Sequence, residues 1–343
     1  MSGNDRSRRE FLRDLALLGA WPFAAAGGRG LRFGRGQASP PVGTPDIVYK
    51  ARTLSVSHFA ELQTFMDSLR RDGKLSHHPI YRGYIDNRKF AVPEDFRAAA
   101  SVVVLAYRTP LLRLSVRHRG RDREIVISPQ YFDDGVTRAG LEAVIRRDIV
   151  KDPAAKLVPA QGTHLKLLAV RSGLGRYGRN NICYIDGMGT FHALFAFLTD
   201  ATGLEDSWRE LALLDACREC PLCYSLCPTG AIRRETFVID AGRCVTLYNE
   251  VEGDFPNWVL PSMHNALMGC MKCQLGCPEN EKAGIPVERG GAIDEDETAK
   301  ILAGTPDDAL LESLGRKLKG FPPASDRAQF PILTRNLAAL LRG

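Results

Sequence analysis

The sequence predicts an α+β protein in which an α/β domain is followed by a small cysteine-rich domain and a helical C-terminal segment. Three patterns indicate this order. Residues 46–210 alternate helix-spaced apolar positions with short continuous apolar runs. Eight of the nine cysteines lie between residues 217 and 277, and beyond residue 283 the chain carries helix start signals. The predicted boundaries are therefore 1–45, 46–210, 211–283 and 284–343.

Composition sets broad limits on function. With 343 residues, 44% hydrophobic and 25% charged, the chain is typical of a globular protein with one large or two modest domains. The formal charge is +6, and the first 40 residues account for +4 of it. Six arginines between residues 108 and 123 straddle a predicted hairpin turn, which favours a solvated hairpin over an anion-binding patch. The charge alone therefore demands neither nucleic acid nor an anionic membrane as a partner.

Residues 1–45 predict a twin-arginine signal and a linker. Residues 7–12 read S-R-R-E-F-L, and an uncharged stretch of 14 residues follows from Leu15 to Gly28. That length suits a signal sequence and is below the 18 or more residues of a membrane span. The alternative is a disordered basic tail. We expect a periplasmic protein, with or without membrane association, that has no transmembrane span in its mature form.

The α/β domain is predicted element by element. Apolar residues recur at helical spacing in three segments, and short runs of β-formers make five strands. A hairpin joins the second and third strands around residues 119–122, and a glycine-containing turn joins the last two, which we expect to pair. The helices are predicted at 58–71, 136–149 and 165–171, and the strands at 101–106, 112–116, 124–127, 182–185 and 191–198.

Seven cysteines form two short runs that predict metal ligation. The first run is C-x2-C-x2-C-x3-C-P, the bacterial ferredoxin spacing in which the fourth cysteine serves a second [4Fe-4S] cluster. The second run lacks its first cysteine, because Leu267 stands there, and Cys244 can supply the absent thiolate. A structural zinc site is the alternative, although zinc motifs pair C-x2-C units without this interlocked spacing. The predicted ligand sets are Cys217, Cys220, Cys223 and Cys277 for one cluster, and Cys227, Cys244, Cys270 and Cys273 for the other.

Two further regions complete the prediction. Cys183 is left over, and on a predicted strand it is expected to be a buried small hydrophobe rather than a reactive thiol. In the C-terminal segment, helices are predicted from Asp294 to Leu302, from an N-cap at Thr305 to about Gly320, and around residues 330–341. The full prediction is an α/β cofactor-binding domain, a ferredoxin-like double [4Fe-4S] domain and C-terminal helices.

A glycine-rich segment at residues 173–181, placed before the cysteine runs, gives the sequence a family resemblance. It reads G-L-G-R-Y-G-R-N-N and resembles the G-L-G-x-x-G-[KR] segment of the corrinoid-dependent iron–sulfur reductases, namely epoxyqueuosine reductase and the reductive dehalogenases. The resemblance covers about residues 165–278, with a weaker likeness to epoxyqueuosine reductase that includes Arg335 and Asn336. It implies a cobalamin bound in the α/β domain and electron delivery through the clusters to cobalt.

The glycine segment is accordingly a candidate cofactor contact, with a structural turn as the alternative. Closely spaced glycines let a backbone approach a cofactor, and arginine can bind its carboxamide or phosphate groups. A lone G-x-G-x-x-G does not by itself indicate a dinucleotide fold. The candidate cofactor-binding residues are Gly173, Gly175, Arg176, Tyr177, Gly178, Arg179 and Asn180.

The two families differ in substrate, location and proton donor. Epoxyqueuosine reductase acts on tRNA in the cytoplasm, whereas reductive dehalogenases carry a twin-arginine signal. Residues 157–164 lack the acidic residue that epoxyqueuosine reductase places there, so Tyr177 and His164 become the candidate acids.

Three functions remain open from the sequence: an exported corrinoid reductase, an electron-transfer protein without corrinoid, and a tRNA-modifying reductase. For the first, we expect a small-molecule substrate, an electron-donor protein or membrane quinol system, and no nucleic acid partner.

Overall fold

The computed structural model describes residues 47–343, so the predicted signal and linker lie outside the described residues. The fold is α+β, as predicted. The main sheet is antiparallel with strand order β1-β2-β8-β5, a second sheet has the order β4-β3-β9, and β6 pairs with β7. The strands are β1 Tyr49–Ser55, β2 Ser101–Arg108, β3 Leu111–His118, β4 Arg121–Ile127, β5 Leu157–Pro159, β6 Arg176–Tyr177, β7 Cys183–Tyr184, β8 His192–Thr199 and β9 Val287–Arg289.

Twelve α-helices lie in the described part of the chain. Most of those before residue 284 are one or two turns long, and the three long C-terminal ones follow a capping residue or a proline. In order they are α1 Phe59–Arg71, α2 Pro79–Asp86, α3 Arg138–Asp148, α4 Leu165–Arg171, α5 Leu222–Leu226, α6 Val245–Asn249, α7 Lys272–Leu275, α8 Pro278–Ala283, α9 Glu295–Ala303, α10 Asp308–Lys317, α11 Pro322–Ser325 and α12 Phe330–Arg342.

The main sheet is covered by helices on both faces. Six consecutive residues of β2 are buried, which explains why its sequence is a continuous apolar run rather than an alternating one. On one face Val102 and Val104 belong to a core with α1 and α4, and on the other Val103 and Leu105 pack with α3. Burial of both faces therefore fixes the register of this strand.

A second core joins the β3–β4 hairpin to the C-terminal helices. The hairpin turns through Arg119 and Gly120, both with positive φ, as a two-residue turn requires. Leu112 and Leu114 of β3 pack with residues of α10 and α12, and β9 adds a parallel strand to β3. The predicted solvated hairpin is confirmed, because Arg113 and Arg117 make cross-strand ion pairs with exposed carboxylates of β4.

The structure corrects two local predictions. Strand 182–185 does not pair with β8: β7 pairs with β6, while β8 lies in the main sheet between β2 and β5. The hydrogen-bonding edges of β8 are taken by those two neighbours, which leaves an isolated bridge between Ile185 and Gly189. The second C-terminal helix begins at Asp308 rather than near Thr305, because the side chain of Asp307 accepts from the Leu310 N–H and caps it.

Candidate active site

A cavity of about 280 Å³ lies where the α/β layers meet the cysteine-rich segment. Helices α1 and α2 supply apolar and tyrosine side chains, α4 and β8 supply polar ones, and residues 227–246 and 269–274 form the opposite wall. The charged side chains in its lining are Arg88, Lys166 and Lys272, and no Asp or Glu is among the described lining residues. A cavity of this composition favours a ligand with anionic or electron-rich groups.

Five cysteines line this cavity, namely Cys183 and the four members of the second predicted ligand set, Cys227, Cys244, Cys270 and Cys273. Burial, with a contribution from the neighbouring Cys270, raises the pKa of the Cys244 thiol to about 12. Cys273 likewise has a pKa well above its ordinary value, because of burial and then of Cys270 and Cys244 nearby. Thiols in such a place would not ionise near neutral pH by themselves, whereas iron ligation requires thiolates. The structure thus brings the second predicted ligand set together on the cavity wall.

The other four cysteines form a separate group outside the cavity lining. Burial, followed by Cys217, Cys220 and Cys277, raises the pKa of Cys223 to about 11, so these thiols are mutual neighbours. The Tyr184 hydroxyl donates to Cys277 Sγ over 3.3 Å. Within residues 47–343 no group of three or more His, Cys, Asp or Glu side chains could hold a single metal ion. The assignment of these two groups to particular clusters stays a prediction.

Leu267 and Cys183 are both buried. Leu267 is fully buried in the core with the C-terminal helices, and its N–H donates to the Val126 carbonyl over 2.7 Å. The position of the absent cysteine is therefore occupied by an apolar side chain because it packs in this core. Cys183 is buried, with a pKa raised to about 12 by that burial, and it lies outside both groups of four.

Gly175 and Gly178 of the glycine segment pack against β7 rather than facing the cavity. A β-carbon on Gly175 would lie 2.5 Å from Cys183 Sγ, and one on Gly178 would lie 2.3 Å from the Tyr184 ring. These glycines, with Gly173, are absent from the cavity lining. Close packing of β6 on β7 is the physical reason for glycine here, which differs from the expected cofactor approach.

The two arginines of the segment are also engaged elsewhere. Arg176 is exposed and pairs with Asp215 over 2.6 Å. Arg179 is buried, and its guanidinium donates to the carbonyls of Arg234, Cys217 and Arg218. It thereby fixes the loop that carries the first cysteines of the outer group. Of the seven candidate cofactor residues, only Tyr177 and Asn180 line the cavity.

Both candidate acids lie in the cavity lining. Burial raises the pKa of Tyr177, whose ring packs on Phe237 with centroids 4.9 Å apart. Burial, with help from Arg88 and Lys166, lowers the pKa of His164 to about 3. His164 is therefore neutral at physiological pH and has no acidic proton of the imidazolium kind to give.

Sequence reasoning missed Lys166, whose ammonium group donates to the backbone carbonyl and Oδ1 of Asn181 over 2.8 and 2.9 Å. Asn181 has a φ of 62°, an unusual conformation that turns its polar groups toward the lysine. Burial lowers the pKa of Lys166 to about 8. The only sign of this residue in the sequence was a single lysine within the otherwise apolar run of α4.

A buried amide network supports the cavity-facing cysteines. Asn249 donates to the carbonyl of Gly269, which precedes Cys270, over 2.7 Å. Asn336 of α12 donates to the carbonyls of Asn249 and Leu267, each over 2.9 Å. The network ties the helix after Cys244 to the loop before Cys270, which gives a role to the Arg335-Asn336 pair noted in the sequence.

A second amide joins the outer group to the main sheet. Asn280 Nδ2 donates to Thr190 Oγ1 over 2.9 Å and to the Gln274 carbonyl over 2.8 Å. Its Oδ1 accepts from the Thr190 N–H over 2.8 Å. Asn280 is fully buried, and its own N–H donates to the carbonyl of Cys277. The last cysteine of the chain is therefore fixed relative to the turn before β8.

The cavity also offers polar atoms to a large ligand. His192 Nε2 bonds the Cys183 carbonyl over 2.9 Å, so Nε2 carries the proton and Nδ1 is an acceptor. That Nδ1 and the Tyr84 hydroxyl are buried and have no hydrogen-bond partner within the described part of the chain. Ligand amides could satisfy them. These two atoms could bind carboxamide groups such as those on the rim of a corrinoid.

Comparison with known proteins identifies the cysteine-rich segment. Residues 216–280 match a family described as a 4Fe-4S double cluster binding domain. Epoxyqueuosine reductase of Escherichia coli (strain K12) is 36% identical over 122 residues, which is 35% of this chain and 31% of that protein. Epoxyqueuosine reductase of Staphylococcus aureus is 31% identical over 135 residues, which is 39% of this chain and 34% of that protein. The aligned part is thus about a third of each relative.

Solved structures share the fold over most of the chain. Epoxyqueuosine reductase from Streptococcus thermophilus has a TM-score of 0.60 at 18% identity, covering 85% of this chain and 76% of that one. The Bacillus subtilis enzyme, solved with its aspartate-bearing catalytic loop swung out of the active site, has a TM-score of 0.54 at 20% identity, covering 85% and 80%. An epoxyqueuosine reductase with a tRNA stem loop has a TM-score of 0.57 at 21% identity, covering 85% and 76%.

The match of residues 216–280 establishes a domain with two [4Fe-4S] clusters, as predicted. The comparisons also correct two predictions. The expected periplasmic location is wrong, because the relatives are epoxyqueuosine reductases rather than exported reductases. The expectation that nucleic acid is not a partner is wrong too, since one related structure contains a tRNA stem loop. No helix within residues 47–343 has the length and apolarity needed to cross a membrane.

Proposed function

We propose that this protein is a reductase of the epoxyqueuosine reductase kind, which reduces an epoxide on a modified nucleoside of tRNA with electrons passed through its two clusters. One observation carries the proposal: Cys227, Cys244, Cys270 and Cys273 line the large cavity, while the four cysteines of the other predicted ligand set do not. A cluster held by the first group would meet a ligand in the cavity. A cluster held by the second group would receive electrons from outside.

The outer group is placed for electron entry. Leu222 and Leu226 lie on the short helix α5, and their exposed fractions are 39% and 41%. An apolar surface beside a cluster suits transient docking of an electron-donor protein. Electrons would then move inward, toward the cavity wall.

A cobalamin is the proposed occupant of the cavity. A bound corrinoid would supply a reducible cobalt centre for reductive bond cleavage. His192 and Tyr84 would hold its carboxamide rim, since both residues line the cavity and His192 Nδ1 and the Tyr84 hydroxyl have no hydrogen-bond partner within the described residues. The apolar side chains of α1 would cover the macrocycle and exclude water from the reacting atoms.

The electrostatics of the cavity support a nucleic acid substrate. Arg88, Lys166 and Lys272 attract phosphate and electron-rich nucleobase atoms, and no carboxylate in the described lining repels them. The relatives reported above are named for an epoxide-bearing nucleoside, which favours an epoxide over the carbon–halogen bond of a dehalogenase substrate.

The test is an anaerobic titration of the reconstituted protein with cobalamin, followed by incubation with epoxyqueuosine-containing tRNA and a chemical reductant. We expect saturable cobalamin binding, seen as changes in its absorption bands, and conversion of the nucleoside detected by mass spectrometry. Cys244→Ala provides the control, because it should lose cavity-side iron and the reaction together. Binding without conversion would refute the epoxide substrate.

An electron-transfer protein without corrinoid is the second candidate. The absence of an acidic residue from residues 157–164 favours it, because a catalytic loop of a related enzyme bears an aspartate. Such a protein would hold both clusters, pass electrons and bind no cobalamin in the same titration.

A further inference from the structure

The reaction proposed above needs a proton source that the cavity does not provide as a carboxylic acid. Reduction of an epoxide to an alkene breaks two C–O bonds, forms one C=C bond, and consumes two electrons and two protons as the oxygen leaves as water. No Asp or Glu belongs to the described cavity lining. Another side chain must therefore protonate the departing oxygen.

The other titratable groups near the cavity are poorly suited. His164 is neutral, and Tyr177 has a raised pKa, which makes its hydroxyl a weaker acid. The buried carboxyl of Glu250 keeps its proton because burial raises its pKa, but it bonds the hydroxyl of Tyr131 and lines a separate small cavity instead.

Among the remaining lining residues, burial lowers the pKa of His192 to about 4 and raises the pKa values of Tyr81, Tyr84 and Tyr131. The ammonium group of Lys272 makes an exposed hydrogen bond to the Ser262 carbonyl over 3.0 Å. Lys166 of α4 is the remaining candidate.

We propose that Lys166 is the proton donor to the departing oxygen of the substrate, an inference that rests on the proposed function. Its side chain lies in the cavity lining, and Asn181 holds its ammonium group through the backbone carbonyl and Oδ1. Asn181 is itself held in a left-handed conformation next to β7. The ammonium group is thus fixed at one point on the wall rather than free to follow solvent.

The groups around Lys166 support an acid that works near neutral pH. Burial, opposed by the thiols of Cys183 and Cys244 and helped by Arg88, lowers its pKa to about 8. His164, two residues away, is uncharged. An acid with a pKa near the working pH combines a large protonated fraction with a strong tendency to transfer its proton.

The proton balance is closed by solvent. Lys166 gives one proton to the oxygen and becomes a neutral amine, water supplies the second proton, and the amine is protonated again before the next turnover. The two electrons come from an external one-electron donor through the clusters, so the lysine itself is neither oxidised nor reduced.

The first test measures the amine without any turnover. The anaerobic protein with both clusters is treated with a limiting acylating reagent across pH 6–11, and acylation of each lysine is quantified by mass spectrometry. Lys166 should reach half of its maximal reactivity near pH 8, whereas ordinary lysine side chains do so above about pH 10. A Lys166 curve that coincides with those of the exposed lysines would overturn the proposal.

The second test compares Lys166→Met and Lys166→Arg with Lys74→Met, an exposed control. With parental iron content and cobalamin binding, both Lys166 variants should lose roughly 10²- to 10⁴-fold in turnover, since neither side chain releases a proton near neutral pH. The parent's turnover should fall as pH rises through 8. If Lys166→Met turns over within threefold of the parent, the lysine is not the donor, while the proposed function stands. If the parent itself converts no epoxide, the proposed function fails and this proposal fails with it.

Discussion

Replacing Asn280 by Ala tests how the outer cysteine group is fixed to the main sheet. The side chain makes three buried hydrogen bonds, two to Thr190 and one to the Gln274 carbonyl. The substitution leaves the Thr190 N–H without a partner, while the Thr190 hydroxyl can reorient and the Gln274 carbonyl still accepts from the Cys277 N–H over 3.3 Å. An orphaned buried group costs about 1–3 kcal/mol, so the expected loss in the free energy of unfolding is about 2 kcal/mol.

That loss is an appreciable part of the roughly 5–15 kcal/mol that stabilises a typical domain. At about 2 °C per kcal/mol, the unfolding midpoint should fall by roughly 4 °C in anaerobic thermal scans at a fixed rate. Since the Asn280 N–H also bonds the Cys277 carbonyl, iron should be released to a chelator faster than from the parent.

Asn87→Ala is the matched control. Asn87 is exposed and makes a single side-chain bond to the Gly83 carbonyl over 2.9 Å, so its loss should change stability by less than about 0.5 kcal/mol. The reasoning is refuted if Asn280→Ala melts within about 2 °C of the parent and retains its iron equally long, because the buried amide would then hold nothing together.

Three other substitutions test separate parts of the structure. Cys244→Ala should retain about four iron atoms per chain where Cys183→Ala retains about eight, and eight in both variants would disprove the ligand set. Gly178→Ala should destabilise the β6–β7 pair through a clash with the Tyr184 ring, and an unchanged melting temperature would show that the ring moves aside at no cost. Glu250→Gln should gain stability relative to the parent between pH 5 and pH 8, because burial raises the folded-state pKa of Glu250 and the parent's stabilisation is lost as pH rises above the unfolded value. The difference in unfolding free energy between the two proteins should change by up to about 1.4 kcal/mol per pH unit. The same pH dependence of the melting temperature in both proteins would contradict this prediction.

Much of the sheet and of the cysteine grouping could be predicted from sequence. The continuous apolar runs of β2 and β8 required burial on both faces, and the ferredoxin spacing placed the cysteines in two sets of four. Strand β1 was missed because only two of its seven residues are buried, which leaves no continuous apolar signal.

The features that the sequence left open share a physical cause, which is that a local pattern does not say what lies opposite. Glycine at position 178 indicated a close approach, and the Tyr184 ring lies there, while the cofactor contact of the segment stays a prediction. Leu267 indicated a missing ligand, whereas its place in the core depends on helix α12, more than sixty residues later. Lys166 could not be distinguished from a surface lysine until α4 was placed against the cysteine-rich wall.

The contact between Asn336 and the cysteine-rich segment has a consequence for biosynthesis. The carbonyls that Asn336 holds belong to Asn249 and Leu267, so the loop carrying Cys270 is tied down by a helix that leaves the ribosome long after all eight candidate ligands. A nascent chain with those cysteines already exposed therefore lacks the support for its cavity-side cluster. Iron on that side is expected to be inserted after translation, while the earlier cysteines could be engaged by an assembly factor during synthesis.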